Sequence, residues 1–205
     1  MKRLLVPAVL GVLAAGCSGS TTPLAAPSST STPASPASGS AGQTPVAAES
    51  NPPGDIPDNV AYIAFVSAGG HYTFTHPEGW AATQHGTSVV LTDKLNGISA
   101  DLGNATVPPT VASARQSDVP ALQKGQAAFE LRSVTAVTVP GGTGVRIVYR
   151  RNSAPDAVTG REYRDEVQRY ELVSGGHEVV LEMFGPVGAD NVDAYRTMVQ
   201  SLRLR

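Results

Sequence analysis

From Ser18 to about Pro57 the chain is built of Ser, Thr, Pro, Ala and Gly with hardly any large apolar side chain, and Glu49 is its only charge before Asp55. Such a stretch cannot bury enough apolar surface to offset the entropy lost on ordering it. It is expected to be a disordered tether, so any core must come from residues C-terminal to it. From about Asp58 onward aromatic, β-branched and charged residues appear together. Roughly 148 residues remain, enough for one domain burying close to 68–70% of its unfolded surface.

The region before the tether reads as an address. Lys2 and Arg3 precede an uncharged run from Leu4 to Ala15. As a helix that run would span only ~18 Å, whereas a bilayer core is ~30 Å thick. It therefore reads as the apolar part of a signal peptide rather than a spanning helix. Ala14, Ala15 and Gly16 then lead into Cys17, the one cysteine of the chain. This stretch resembles the lipobox of bacterial lipoproteins, with Ala14 standing where Leu is usual and Leu13 one place earlier. The resemblance implies a diacylglycerol thioether on Cys17 and cleavage just before it. The alternative is ordinary signal cleavage and release with a free thiol. The expected organisation is a signal peptide at 1–16, a lipidated Cys17 with tether over 17–57, and a folded domain over 58–205. The membrane is then a partner through the anchor, and the domain faces the extracytoplasmic side. About forty flexible residues give an r.m.s. reach near ~35 Å. Ser and Thr beside Pro also suit O-glycosylation, with a plain spacer as the alternative.

Charge excludes some partners. The net formal charge is -2, and loss of the first seventeen residues removes two basic residues and no acid. The resulting chain, at -4, is not drawn to nucleic acid or to an anionic surface. One cysteine excludes an internal disulfide and a thiolate zinc cluster.

Within 58–205, period-two patterns predict strands at 60–66, 71–75, 88–92 and 98–102, the last two joined through Asn96-Gly97, a strong hairpin signal. Four more are expected at 127–139, 145–151, 163–173 and 177–184, with Pro- and Gly-bearing turns at 140–144 and 174–176. Val145, Ile147 and Tyr149 share one face, as do Val179, Leu181 and Met183, which suits an antiparallel sheet covered on that face. Residues 110–124 have helical composition. Pro120 predicts a break, or a helix starting near Asp118 with Pro120 in its first turn. Val192, Tyr195, Val199 and Leu202 form the stripe of an amphipathic helix over 190–201, with Asp190 as N-cap. The fold class is α+β: an antiparallel β-sheet flanked by helices.

"YTFTHPEGW" (72–80), the hairpins, the middle helix and the closing "GADNVDAYRTMVQSLRL" (188–204) resemble the PsbP-like fold. That group includes the extrinsic PsbP subunit of photosystem II, and many actinobacterial lipoproteins are similar to it. The resemblance covers about residues 60–205. It implies a helix-flanked sheet that serves for binding or assembly, and no catalytic residues to carry over.

No catalytic, metal or cofactor motif stands out. His71, His76 and His85 have no closed-site spacing, His177 is distant in sequence, and alternation places His71 and His76 on opposite strand faces. "DNVD" (190–193) lacks the oxygens of a calcium loop. "PGGTG" (140–144) lacks the Lys-Ser/Thr ending of a phosphate loop. There is no G-x-S-x-G elbow. Glu78 beside Trp80 reads as a surface turn.

The candidate site is an arginine group. If 145–151 pairs with 163–173, then Arg150, Arg151, Arg161 and Arg164 gather around the loop 152–160. Guanidinium forks suit phosphate or carboxylate on a lipid, glycan or envelope protein. The interleaved Glu162, Asp165, Glu166 and Glu171 offer the alternative of cross-strand pairing. The function expected is a lipid-anchored envelope lipoprotein whose domain is a non-catalytic binding or scaffold module. The alternatives are an envelope hydrolase or transferase with a site assembled only in three dimensions, and a lipid or glycolipid carrier.

Overall fold

The computed structural model describes residues 42–50 and 54–205. Cys17, the signal region and most of the expected tether lie outside the described residues.

A three-stranded antiparallel sheet pairs β1 (Tyr62–Val66) with β2 (Tyr72–Pro77), and β2 with the short β10 (Arg203–Leu204). A seven-stranded antiparallel sheet holds β3 (Ala81–His85), β4 (Ser88–Asp93), β5 (Asn96–Asn104), β6 (Glu130–Val139), β7 (Gly142–Asn152), β8 (Arg164–Ser174) and β9 (His177–Pro186). Their spatial order is β3-β4-β5-β9-β8-β7-β6. The helices are α1 (Val111–Gln116), α2 (Asp118–Gly125) and α3 (Val192–Ser201). The α+β antiparallel class expected from sequence is what the chain adopts.

Alternation along the strands gives the large sheet two buried faces. On β7 and β8, Val145, Ile147, Tyr149 and Val167 pack with Ala114 of α1 and Leu122 of α2. On the other face Tyr170 and Leu172 of β8, with Val179, Leu181 and Met183 of β9, meet Tyr72 and Phe74 of β2 and Tyr195, Met198 and Val199 of α3. Successive strand residues point to opposite sides, so one run serves both layers. Burying these side chains contributes roughly 1.5–3 kcal/mol each.

Three expectations are corrected. The β4–β5 turn is Lys94-Leu95, not Asn96-Gly97, and Lys94 takes the left-handed conformation (φ 52°). Gly97 lies inside β5 beneath the Phe184 ring, and a Cβ there would overlap the ring. Strand β3 is an addition to the expected set, since Ala81–His85 is exposed at every residue and has no apolar alternation. The residue before α3 is Asn191 rather than Asp190, and its side chain makes no capping bond. The middle helix is interrupted as expected: Ser117 separates α1 from α2, and Pro120 lies in the first turn of α2.

Contacts also begin upstream of residue 58. Ile56 is buried, and its N–H donates to Asn191 Oδ1 at 2.8 Å. The Gly54 carbonyl accepts from Asn96 Nδ2 at 2.6 Å and from Asn191 Nδ2 at 3.1 Å. Residues 42–50 lie along the end of β7: Val46 N–H donates to Asn152 Oδ1 (3.1 Å), and Asn152 Nδ2 donates to the Thr44 carbonyl (2.9 Å). Gln43 Nε2 donates to both oxygens of Glu162 at 2.9 and 2.8 Å, and Glu49 pairs with Arg161. Among the described residues, docking contacts thus extend back to Gln43, within the stretch read from composition as tether.

Candidate functional site

Helix α3 covers only part of its face of the large sheet, leaving β6 and β7 open beside it. The side chains presented there are set by register. Arg146 of β7 sits opposite Thr135 of β6 and Tyr170 of β8. Arg150, four residues on, sits opposite Glu130 and Glu166. Both arginines are on the α3 side, yet only Arg150 has carboxylates across the strands.

A groove of about 500 Å³ runs between α3 and this open half-sheet. Val137 and Val139 of β6, with Val192 and Val199 of α3, form apolar walls, and Arg146 and Gln168 line it between them. Its volume is within the range of small-molecule sites. Val192, expected from the helical stripe to be core, is 59% exposed and lines the groove instead. Arg146 Nε is buried and has no hydrogen-bond partner among the described residues. A smaller depression of about 60 Å³ shares Gln168 and Val192 with the groove and reaches Tyr195. The Tyr195 hydroxyl is also buried without a partner among the described residues, and burial raises its pKa.

The four arginines singled out from sequence are each engaged by the chain itself. Arg150 Nε donates to Glu166 Oε2 at 3.1 Å. Arg151 donates to Gln126 Oε1 at 3.0 Å, approaches Asp165 Oδ2 at 3.9 Å, and lies 5.1 Å over the Phe184 ring. Arg161 pairs with Glu49 and lies over the Tyr163 ring. Arg164, 5% exposed, donates to the Ala128 carbonyl at 2.8 Å and to Glu130 Oε2 at 3.0 Å. Alternation divides them: Arg150 and Arg164 are on the α3 side, Arg151 is on the helix α1–α2 side, and Arg161 is in the loop. They do not converge on one site.

Arg146 is one of six arginines between 146 and 169, and nothing in the sequence distinguishes it before pairing is known. The signal is its cross-strand neighbours, Thr135 and Tyr170, neither of which can neutralise it.

Two other polar clusters are closed on themselves or small. On the α1–α2 side, Arg169 donates to Glu171 Oε1 (2.6 Å) and Glu182 Oε1 (2.9 Å), and the Tyr149 hydroxyl donates to the same Glu182 oxygen (3.1 Å). Burial works against the Arg169 charge, but the two carboxylates outweigh it and raise its pKa. Burial raises the Glu171 pKa despite Arg169. His177, distant in sequence, lies beside His71 with ring centroids 5.7 Å apart. His71 is half-buried, and His76 is buried on the opposite face with Nδ1–H donated to the Pro77 carbonyl (2.8 Å). Burial lowers the His76 pKa. Among the described residues no group of three or more His, Cys, Asp or Glu is placed to hold a metal ion.

Fold and groove together define an antiparallel α+β domain with an open cleft against one helix. No protein-family model matches the chain, and no curated protein matches it. Solved structures are similar to it at low identity. Cyanobacterial PsbP (CyanoP) from Synechocystis shares 16% identity at a TM-score of 0.49, covering 76% of this chain and all of that one. The Ran-binding protein Mog1p of Saccharomyces cerevisiae shares 13% at 0.48, covering 71% of this chain and 96% of that one. LpqN of Mycobacterium tuberculosis, involved in cell envelope biogenesis, shares 15% at 0.41, covering 72% and 86%. At these values the likeness assigns neither family nor function.

Proposed function

We propose that the chain is a lipid-anchored lipoprotein of the cell envelope, facing the extracytoplasmic side, whose domain is a non-catalytic binding module working through the groove beside α3. The observation that carries the binding role is the groove itself, bounded by Val137, Val139, Val192 and Val199 and left open between β6, β7 and α3. An exposed apolar lining with a few placed polar groups is the usual anatomy of a binding cleft. The anchor rests on the lipobox-like run ending at Cys17 and on the need for acyl chains to hold a chain whose apolar start is too short to span a bilayer.

Each half has its own test. Cells fed labelled palmitate incorporate it into the parent protein but not into Cys17→Ser, and Cys17→Ser leaves the membrane fraction. Label absent from the parent removes the anchor. For the groove, Val192→Glu, at the exposed valine of its lining, is compared in the anchored chain with a control outside it, Val158→Glu, in cross-linking from intact cells. Loss of cross-linked products with Val192→Glu alone supports the groove, and identical products in both variants and the parent remove it.

A further inference from the structure

The lining of the groove shows what it is built to hold. Both charged residues among its lining, Arg146 and Arg196, are basic, and no carboxylate is present there, in a chain that carries more acid than base overall. Arg196 lies on the exposed side of α3 and is paired with Asp193 at 2.7 Å. Arg146 is different. It is half-buried, forms no ion pair with any described residue, and its buried Nε is unsatisfied. Every other arginine between residues 146 and 169 has a carboxylate within 4 Å. A partly desolvated cation without a counter-charge is costly, and the chain satisfies its other arginines in this sheet. The missing partner at Arg146 is therefore an acceptor from outside.

Resting on the groove as the binding site, we infer that its ligand is an organic anion: one carboxylate or phosphate monoester held by the Arg146 guanidinium, with an apolar body lying along Val137, Val139, Val192 and Val199. A guanidinium fork matches either oxyanion. Gln168, which lines the groove on the strand beside Arg146, supplies a further amide toward the same head. The valine walls exclude a bare inorganic anion as the preferred occupant, since it would leave them wet.

Isothermal titration of the purified full-length chain with octanoate, octyl phosphate, octanol and inorganic phosphate tests this. Both octyl anions bind, each at least tenfold tighter than octanol and than inorganic phosphate, and the tighter of the two identifies the natural head group. Arg146→Gln weakens the octyl anions at least tenfold and leaves octanol unchanged, whereas Arg146→Lys recovers part of the affinity. The melting temperature of Arg146→Gln without ligand is no lower than the parent's, because an unsatisfied cation has been removed; this separates lost binding from lost folding. Octanol binding as tightly as octanoate, with Arg146→Gln silent, overturns the anion and leaves the groove standing. Inorganic phosphate binding as tightly as octyl phosphate overturns the apolar body. Binding of no probe at millimolar concentration overturns the inference, and the cross-linking comparison then decides separately whether the groove is a site.

Discussion

Asp165 shows how one residue can set a pH dependence. It is 3% exposed beside Arg151 and Arg164. Burial pushes its carboxyl up to about 6, against the lowering pull of the two guanidinium groups. In the unfolded chain it ionises near ~3.9. The folded state thus holds the proton more tightly, and this residue's stabilising contribution is present below pH ~4 and lost as pH rises through about 6. Asp165→Asn abolishes that slope. Relative to the parent the variant gains stability between pH 4 and 6.5, by up to ~3 kcal/mol, as read from urea unfolding at half-unit intervals. Gly97 gives a steric case. A Cβ there overlaps Phe184, so Gly97→Ala destabilises by about 1–3 kcal/mol and displaces Arg151 from the ring. Adding Phe184→Leu recovers part of the loss, and chemical denaturation of the single and double variants measures it.

At the level of elements, the strands with one strictly apolar face are legible in the sequence: β7 with Val145, Ile147 and Tyr149, and β9 with Val179, Leu181 and Met183. Their alternation records burial directly. β3 is not legible because nothing on it is buried. The Lys94-Leu95 turn is hidden because Asn96 and Gly97 carry a stronger local turn preference, yet are fixed by Gly54, Asn191 and Phe184, contacts distant in sequence. Arg146 is illegible for a related reason: a missing partner exists only once two registers are fixed. The approach to α3 depends on Asn191, whose amide joins Ile56, Gly54 and Asn96 Oδ1. Asn191→Ala strands these groups and costs about 2–3 kcal/mol. Asn96→Ala shares the network, so the double variant loses less than the sum of the two, as a double-mutant cycle by calorimetry will show.

For the whole molecule, the composition change near Asp58 marks where core-forming residues begin, but not where the docked chain begins. Ile56 fills the core, and Asn96, Asn152 and Asn191 bond to backbone between Thr44 and Ile56. A chain beginning at Gly42 is accordingly more stable than one beginning at Asp58, by at least ~4 °C in melting temperature if two or more kcal/mol are lost, at ~2–4 °C per kcal/mol. Equal melting of the two would mean that these contacts contribute nothing. Composition alone could not find this segment, because many of its hydrogen bonds use backbone groups that every sequence possesses, at Thr44, Val46, Gly54 and Ile56.

That docking also sets a leash. Gly42 and Gln43 border a cavity beside Gln123 and Lys124 of α2, and α2 packs on the sheet face opposite α3. Whatever path residues 18–41 take, their contour cannot exceed ~85 Å, well short of the ~130 Å a forty-residue strand would allow. If the anchor proposed for Cys17 holds, that length bounds how far the head rises from the bilayer, and any pull arrives at the Gly42 end beside α2, on the sheet face opposite the cleft.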